Sequence, residues 1–406
     1  MNKPSSASGA RPDALFLSPE APYPPIGGGP LRSASLIEYL ARHYSVHAIL
    51  FRAPEDPDPG QAIPSGRIAR LDILDLPHHS KATAARVARN TLRAIQARPP
   101  LMDRFAGFER PLSRLLQGRK YELAMVEHFW CAPYIRQIRR HSQRVILDLH
   151  NIESSWHESL AVHEDILRAS ALKWFAAAAR RLERELLPQF DGILATSAQE
   201  AERVRALAGG ARITVYPNAL PEIAVPERLE REEIAFSGNL EYPPNIEAVR
   251  FFRDRIWPAL RSRPGLKWKI VGKNPEAIRS LVSRDSRIEL TGPVEDAIAA
   301  LASSQVAVVP VLSGSGTRVK ILEAWAAATP VVSTSLGAEG LSDAGEHLVV
   351  ADDPREFAAA VSGLLDSPSE RRRLGCAGRR LFEQRYTWPA AWKCLGKLFE
   401  TGLPPE

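Results

Sequence analysis

Residues 310–334 read Pro310-Val-Leu-Ser-Gly-Ser-Gly-Thr-Arg-Val-Lys-Ile-Leu-Glu-Ala-Trp-Ala-Ala-Ala-Thr-Pro-Val-Val-Ser-Thr334. An apolar run ends at Leu312, a glycine and serine loop follows, a helical stretch covers 317–328, and a second apolar run fills 330–334. Strand, loop, helix and strand in that order form a parallel crossover unit, whose sheet must be covered on both faces. The loop lies at the helix N-terminus, where unpaired amides and the helix dipole favour an anion. Ser315, Gly316 and Thr317 are therefore expected to meet a phosphate. Arg318 and Lys320 place positive charge in the first turn against the dipole, a local conflict that a bound polyanion accounts for. Glu323, one to two turns in, offers a carboxylate to two vicinal hydroxyls.

The same alternation extends in both directions. Upstream, strands are expected at 234–238, 268–272, 288–292 and 306–312, with one helix from Asn245 to about Arg261. Downstream come a strand at 347–351 and helices from Pro354, Pro368 and Trp388, the last interrupted at Pro389. The first half repeats the theme, with a strand at 14–18, a glycine loop, a helix from Leu31 to about Tyr44, and strands at 46–51, 123–127, 145–149, 192–196 and 213–216. A long helix is expected near 164–187, and Ser197-Ala-Gln-Glu200 has the form of a capping box. Between the halves, Pro217 to Glu233 carries Pro217, Pro221 and Pro226 among charged residues and reads as a linker. The fold class is α/β, with two Rossmann-like, doubly wound parallel sheets. The expected division is a disordered tail over 1–12, a domain over 13–216, the linker over 217–233, a second domain over 234–385, and a C-terminal helix over 386–406 that packs back on the first domain.

A chain of 406 residues exceeds one hydrophobic core, which agrees with two domains. It has no run of 18 apolar residues to span a bilayer and no apolar stretch near Met1 to serve as a secretory signal. Its 3 cysteines form no C-x-x-C pair, which argues against a disulfide framework or a structural zinc site. A reducing, cytoplasmic setting is expected.

The net charge of +6 is regional. Lys81 to Lys120 holds ten basic residues against Asp103 and Glu109. At 100° per residue, Arg86, Arg89 and Arg93 fall on one face, and Ala88, Leu92 and Ile95 on the other. This amphipathic helix reads either as a solvated surface helix or as a dock for an anionic membrane or phosphorylated acceptor, at the inner face of the membrane. Nucleic acid is not expected as a partner, because no recognition motif accompanies the run.

In open α/β sheets, ligands bind beyond the carboxyl ends of the strands. The first such loop, Ile26-Gly27-Gly28-Gly29-Pro30, allows backbone to approach an anion, although its spacing is not a dinucleotide fingerprint. The strand ending Leu147-Asp148-Leu149 puts His150 at its tip, where a neutral imidazole can meet a sugar hydroxyl. His128 follows Met125-Val126-Glu127 in the same way.

As a set, these segments resemble the retaining glycosyltransferases of GT-B fold, including bacterial sugar transferases of capsule, exopolysaccharide and lipopolysaccharide assembly. Carrying the resemblance are Gly27-Gly28-Gly29, Asp148-x-His150-Asn151-x-Glu153, Phe236-Ser-Gly-Asn239 with Pro244-Asn245, Ile270-Val-Gly272, Leu290-Thr-Gly-Pro-Val294, Gly314 to Glu323, and Pro330 to Thr334 with Gly337-Ala-Glu-Gly-Leu341. The resemblance implies two domains facing a central cleft, and a sugar moved from a nucleotide-sugar donor to a glycan or lipid-linked acceptor. It implies that Glu323 holds the donor ribose, that His150 contacts the donor sugar, and that Gly28 and Gly29 approach the diphosphate and the transferred sugar. Gly238 and Asn239 fall on the donor side, with Gly272 and Val294 near the base. No cofactor and no metal are expected, since helix N-termini and basic groups replace a divalent cation. Two departures stand out. Ser315 occupies the place of the family's first motif glutamate, and Asn239 and Asn245 replace an arginine and a lysine that clamp the diphosphate. Arg318 and Lys320 are expected to supply that charge from the other side. A non-catalytic sugar-nucleotide-binding scaffold and a nucleotide-sugar epimerase are the alternatives.

Overall fold

The computed structural model describes residues 11–78, 80, 82–162, 165–294, 296–314, 319–341 and 344–399. It divides into two compact units: 1–154 with 170–194 and 203–214, and 155–169 with 195–202 and 215–406. Among the described residues, no helix is long and apolar enough to cross a membrane.

In the first unit, continuous runs of apolar residues are spent on strands buried on both faces. The strands are β1 (Asp13–Ser18), β2 (Ser45–Arg52), β3 (Arg70–Asp75), β4 (Tyr121–Glu127), β5 (Ser142–Leu149), β6 (Gly192–Ala195) and β7 (Ile213–Val215), in the spatial order β3-β2-β1-β4-β5-β6-β7. Parallel pairing sets Ala14 beside Val46 and Leu123, and Glu127 beside Asp148. Leu15, Leu17, Ile49, Val126 and Leu147 build the core. The order reverses direction between β1 and β4, so the loops leaving those two strands splay apart and open a crevice. Helix α1 (Gly28–His43) starts there, three residues earlier than its apolar periodicity indicates. The edge strand β3 is not evident in the sequence, because Arg70-Leu-Asp-Ile-Leu-Asp75 alternates charge with apolar residues as an exposed edge does.

The second unit repeats the plan with β8 (Arg231–Ser237), β9 (Lys267–Val271), β10 (Ile288–Gly292), β11 (Ser304–Val309), β12 (Val331–Ser333) and β13 (Val349–Val350), ordered β10-β9-β8-β11-β12-β13. Trp268, Phe252 and Trp257 are buried together, and the Phe252 and Trp268 rings lie 4.6 Å apart. The helix read as continuous from Asn245 to Arg261 is broken. Pro243–Phe251 passes through a π turn at Phe252–Ile256 into Trp257–Leu260. Pro258 lacks an amide hydrogen, and the wider turn just before it absorbs the missing bond.

The segment read as a linker forms no helix over 217–230, and Leu220 exchanges backbone bonds with Tyr386 and Trp388 while Arg228 bonds to the carbonyl of Ala328. Two other expectations need correction. Pro389 does not interrupt its helix but sits at the start of Trp388–Phe399, after the extended Thr387. The box at Ser197 is half formed: Ser197 Oγ accepts from Glu200 N at 3.1 Å, while the Glu200 carboxylate turns back to Thr196.

Helix α2 (Thr83–Ile95) is amphipathic, and on its basic face Arg93 is turned inward. Arg93 is buried, bonding Asp103 Oδ2 at 2.7 Å and Asn90 at 3.2 Å. Leu92 and Ile95 are 54% and 76% exposed, and Val87 is exposed beside them. Asp103, in the short helix Pro100–Arg104 that follows α2, draws the arginine inward, and the apolar side is left facing out.

Candidate active site

In the first unit, three adjacent strand ends meet a helix start. Arg32, in the first turns of α1, is buried and grips Asp148 with both arms of its guanidinium: Nε to Oδ2 at 2.7 Å and Nη2 to Oδ1 at 2.5 Å. Ser33, the next residue, donates to Glu127 Oε2 at 2.5 Å. His150 Nε2 lies 2.9 Å from Glu127 Oε2 and 3.1 Å from Asp148 Oδ2. Glu127 and Asp148 are fully buried, so their charge must be matched inside the protein.

That demand fixes the state of His150. Burial opposes its charged form, but Asp148 and Glu127 outweigh burial and push its pKa up to about 9. The raised pKa favours the imidazolium of His150 at neutral pH, where the sequence reading expects a neutral ring. Burial and the charge of Asp148 hold Glu127 above the usual carboxyl range, while Arg32 and His150 bring Asp148 far below it despite its burial. His128 behaves oppositely. Its ring lies between Trp130 and His150, at 4.3 and 3.6 Å between centres, and burial together with the His150 charge lowers its pKa to about 4.

Gly28 and Gly29 open α1. A Cβ on Gly29 would lie 2.0 Å from Glu20 Oε1, so the glycine leaves room for a carboxylate of its own chain.

In the second unit, Lys320 rises from helix Val319–Ala326 to bond Asn245 Oδ1 at 2.6 Å, its ammonium 4.3 Å from the centre of the Phe236 ring. Glu323, one turn on, accepts from Ser237 Oγ at 3.0 Å. Burial raises its pKa, with Ser237 and Lys320 pulling the other way. Gly238 follows Ser237, and a Cβ there would lie 2.8 Å from Asn245 Nδ2 and 3.3 Å from Lys320 Nζ. A Cβ on Gly272 would lie 1.7 Å from the Gly238 carbonyl oxygen, so β8 and β9 end in direct backbone contact. Asn239 accepts from Asn274 Nδ2 at 3.0 Å and from Asn245 Nδ2, through its backbone oxygen, at 2.7 Å. Val294 is exposed beyond β10. Ser315, Gly316, Thr317 and Arg318 lie outside the described residues.

The structure thus gathers Gly238, Asn239, Gly272, Lys320 and Glu323 in one unit, and His150 with Gly28 and Gly29 in the other. The sequence reading gives no site role to Arg32, Glu127, Asp148 or Glu20. For Glu127 and Asp148 the signal is a charge ending an apolar run, as in Val145-Ile-Leu-Asp-Leu149. Glu127, Asp148 and His150 also converge closely enough to hold an ion, yet Arg32 and Ser33 already occupy the two carboxylates. Asp56-Pro57-Asp58, an Asp-x-Asp triplet of the kind that can carry a metal, is engaged in its own turn: Asp58 accepts from Gly60 N at 2.9 Å and Asp56 from Ala53 N at 3.2 Å.

Comparison with known proteins agrees with this architecture. Residues 231–367 match the family described as glycosyl transferases group 1, and residues 27–219 match the glycosyl transferase 4-like domain. An uncharacterized 44.6 kDa protein of the cps region of Klebsiella pneumoniae is 22% identical over 266 residues, 62% of this chain and 67% of that one. Phosphatidyl-myo-inositol mannosyltransferase of Mycobacterium leprae is 30% identical over 192 residues, which cover 45% of this chain and half, 50%, of that protein. Among solved structures, sucrose-phosphate synthase from Thermosynechococcus elongatus superposes with a TM-score of 0.70 at 18% identity, over 96% of this chain and 98% of its own. The Anabaena protein HepE in complex with UDP-glucose does so at 0.63 and 14%, over 96% and 100%. Two parallel Rossmann-like sheets, both family matches and these neighbours together place the chain among the group 1 glycosyltransferases of GT-B fold.

Proposed function

We propose that this chain transfers a sugar from a nucleotide-sugar donor to a glycan or lipid-linked acceptor, with retention at the anomeric carbon, in surface polysaccharide or lipopolysaccharide assembly. The observation that carries the donor reading is the 2.6 Å contact of Lys320 with Asn245, beside the carboxylate of Glu323. A cation that meets a diphosphate and a carboxylate that meets a ribose diol suit a nucleotide sugar, and HepE was solved with UDP-glucose.

In this reading the bond between the anomeric carbon and the diphosphate oxygen breaks, and its electron pair leaves with the diphosphate. The acceptor hydroxyl bonds the same carbon from the same face and passes its proton to a phosphate oxygen. Lys320, Arg318 and the amides of Gly316 and Thr317 stabilise the leaving charge, at about 2.7 to 4 kcal/mol for each strong donor, as in oxyanion holes. With these donors no metal is required, and full activity in excess chelator is the expected result. A thermal-shift screen of UDP-, GDP- and ADP-linked sugars tests the donor. One nucleotide should stabilise the wild type, by about 2.7 kcal/mol at one hundred times Kd, and should fail with Glu323→Ala. No shift with any of them would sink the donor reading and favour a scaffold. NMR of the product's anomeric centre tests retention.

Peripheral attachment to an anionic membrane through residues 81–120 belongs to the same proposal. Its support is the exposed apolar side of α2 amid a basic segment. Flotation with and without anionic lipid tests it.

A further inference from the structure

Glu20 and His128 stand just beyond the carboxyl ends of β1 and β4, neighbouring strands at the switch point of the first sheet. Glu20 is fixed by a local turn, in which its amide donates to Ser18 Oγ at 3.3 Å and its carbonyl accepts from that hydroxyl at 2.8 Å. Its carboxylate rests against Gly29 at the start of α1 and stays 40% exposed. His128 is held at φ +59°, a conformation costly for a residue with a side chain. Its side chain is 8% exposed, and Nε2 is buried with no hydrogen-bond partner among the described residues. The nearest carboxylate oxygen, Glu20 Oε1, is 3.5 Å away, too far for a good hydrogen bond.

An unpaired buried nitrogen costs free energy, and a strained backbone keeps it aimed at an exposed carboxylate. The pair offers one acceptor group and one ring nitrogen, the complement of a hydroxyl, which donates and accepts at once. It does not suit a phosphate: Glu20 already puts negative charge at the helix N-terminus where an anion would otherwise settle. We propose that Glu20 and His128 form a subsite for a hydroxyl-bearing sugar ring of the acceptor. One hydroxyl donates to the Glu20 carboxylate, and His128 Nε2 bonds the same or the adjacent oxygen. This assignment rests on the reading of the chain as a transferase acting on a glycan acceptor. Burial and the His150 charge lower the His128 pKa to about 4.

The test is ligand-observed NMR on the full chain with methyl α-glucopyranoside, methyl α-mannopyranoside and methyl α-galactopyranoside as probes. At least one should bind the wild type, about ten-fold more weakly to Glu20→Gln and to His128→Phe, the loss expected for a charge-assisted hydrogen bond. Thermal shifts with UDP, GDP and ADP should be unchanged in both variants. Binding of no glycoside to the wild type, or equal binding to wild type and Glu20→Gln, overturns the subsite. Glu20→Gln removes only a half-exposed charge, so it decides the matter even if His128→Phe fails to fold. Glycoside binding without any nucleotide shift would leave the subsite standing and reject the donor reading alone.

Discussion

Lys320 delivers its ammonium to Asn245, 2.6 Å away, across the end of β8. The sequence puts a neutral amide where a clamping cation is expected, and the structure fills that place from a helix 75 residues further along the chain. Lys320→Ala should weaken nucleotide diphosphate binding by about 1.5 to 3 kcal/mol, roughly ten- to a hundred-fold. Adding Asn245→Lys to that variant should restore part of the loss. Calorimetry with the nucleotide found in the thermal-shift screen measures both, and an unaffected single variant would remove Lys320 from the donor site.

Stability should have a maximum near pH 6.5, set by the two stacked histidines. His128 has its folded pKa depressed to about 4, so the stability it brings is present above its unfolded value of about 6.5 and is lost as pH falls toward 4. His150 has its folded pKa raised to about 9, so its contribution is complete below about 6.5 and is lost as pH rises toward 9. Chemical denaturation across pH should show His128→Phe flattening the acid limb and His150→Gln the alkaline one. Parallel curves for the wild type and both variants would contradict the assignment.

Removing one member of the buried pair should be costly. Asp148→Asn leaves the Arg32 guanidinium without its counter-charge in a site closed to water, and a loss of about 3 to 5 kcal/mol is expected. Melting curves should fall clearly. Exchanging the half-exposed partners of the surface pair Arg52 and Asp75 should change stability by less than about 1 kcal/mol.

The outward side of α2 makes a sharper separation. Leu92→Ser with Ile95→Ser should leave folding within about 0.5 kcal/mol of the wild type, because neither side chain is buried. The same pair should abolish flotation with anionic vesicles. Arg93→Ala should do the reverse in part, lowering the melting temperature by freeing Asp103. Unchanged flotation in the serine pair would reject docking through this helix.

Much of the fold was legible because parallel strands are apolar runs bounded by glycine and proline. That pattern is a direct imprint of burial on both faces, and it marks twelve of the thirteen strands among the described residues; β3 escapes it because an edge strand carries charge. The segment proposed to hold the donor stands out because Gly314 to Glu323 joins a loop, a helix start and charges in one stretch. The network around His150 was not. Arg32, Glu127 and Asp148 are brought together from positions up to 116 residues apart, and no local rule links an arginine on a helix to an aspartate in a distant strand. For the same reason the charge state of His150 is not legible in the sequence, since protonation depends on neighbours that only the sheet supplies. Helix α2 shows that periodicity locates two faces without saying which one is turned inward.

The close approach at Gly238 has a comparative consequence. A methyl group there would intrude on both Asn245 and Lys320, and one on Gly272 would strike the Gly238 carbonyl. The four positions are therefore expected to covary across relatives: where 238 carries a larger residue, the lysine of the following helix should be absent and the cation should return to position 245. An alignment deep enough to contain both arrangements would reveal two alternative solutions for binding one diphosphate, and chimeras that mix them should fail at this contact first.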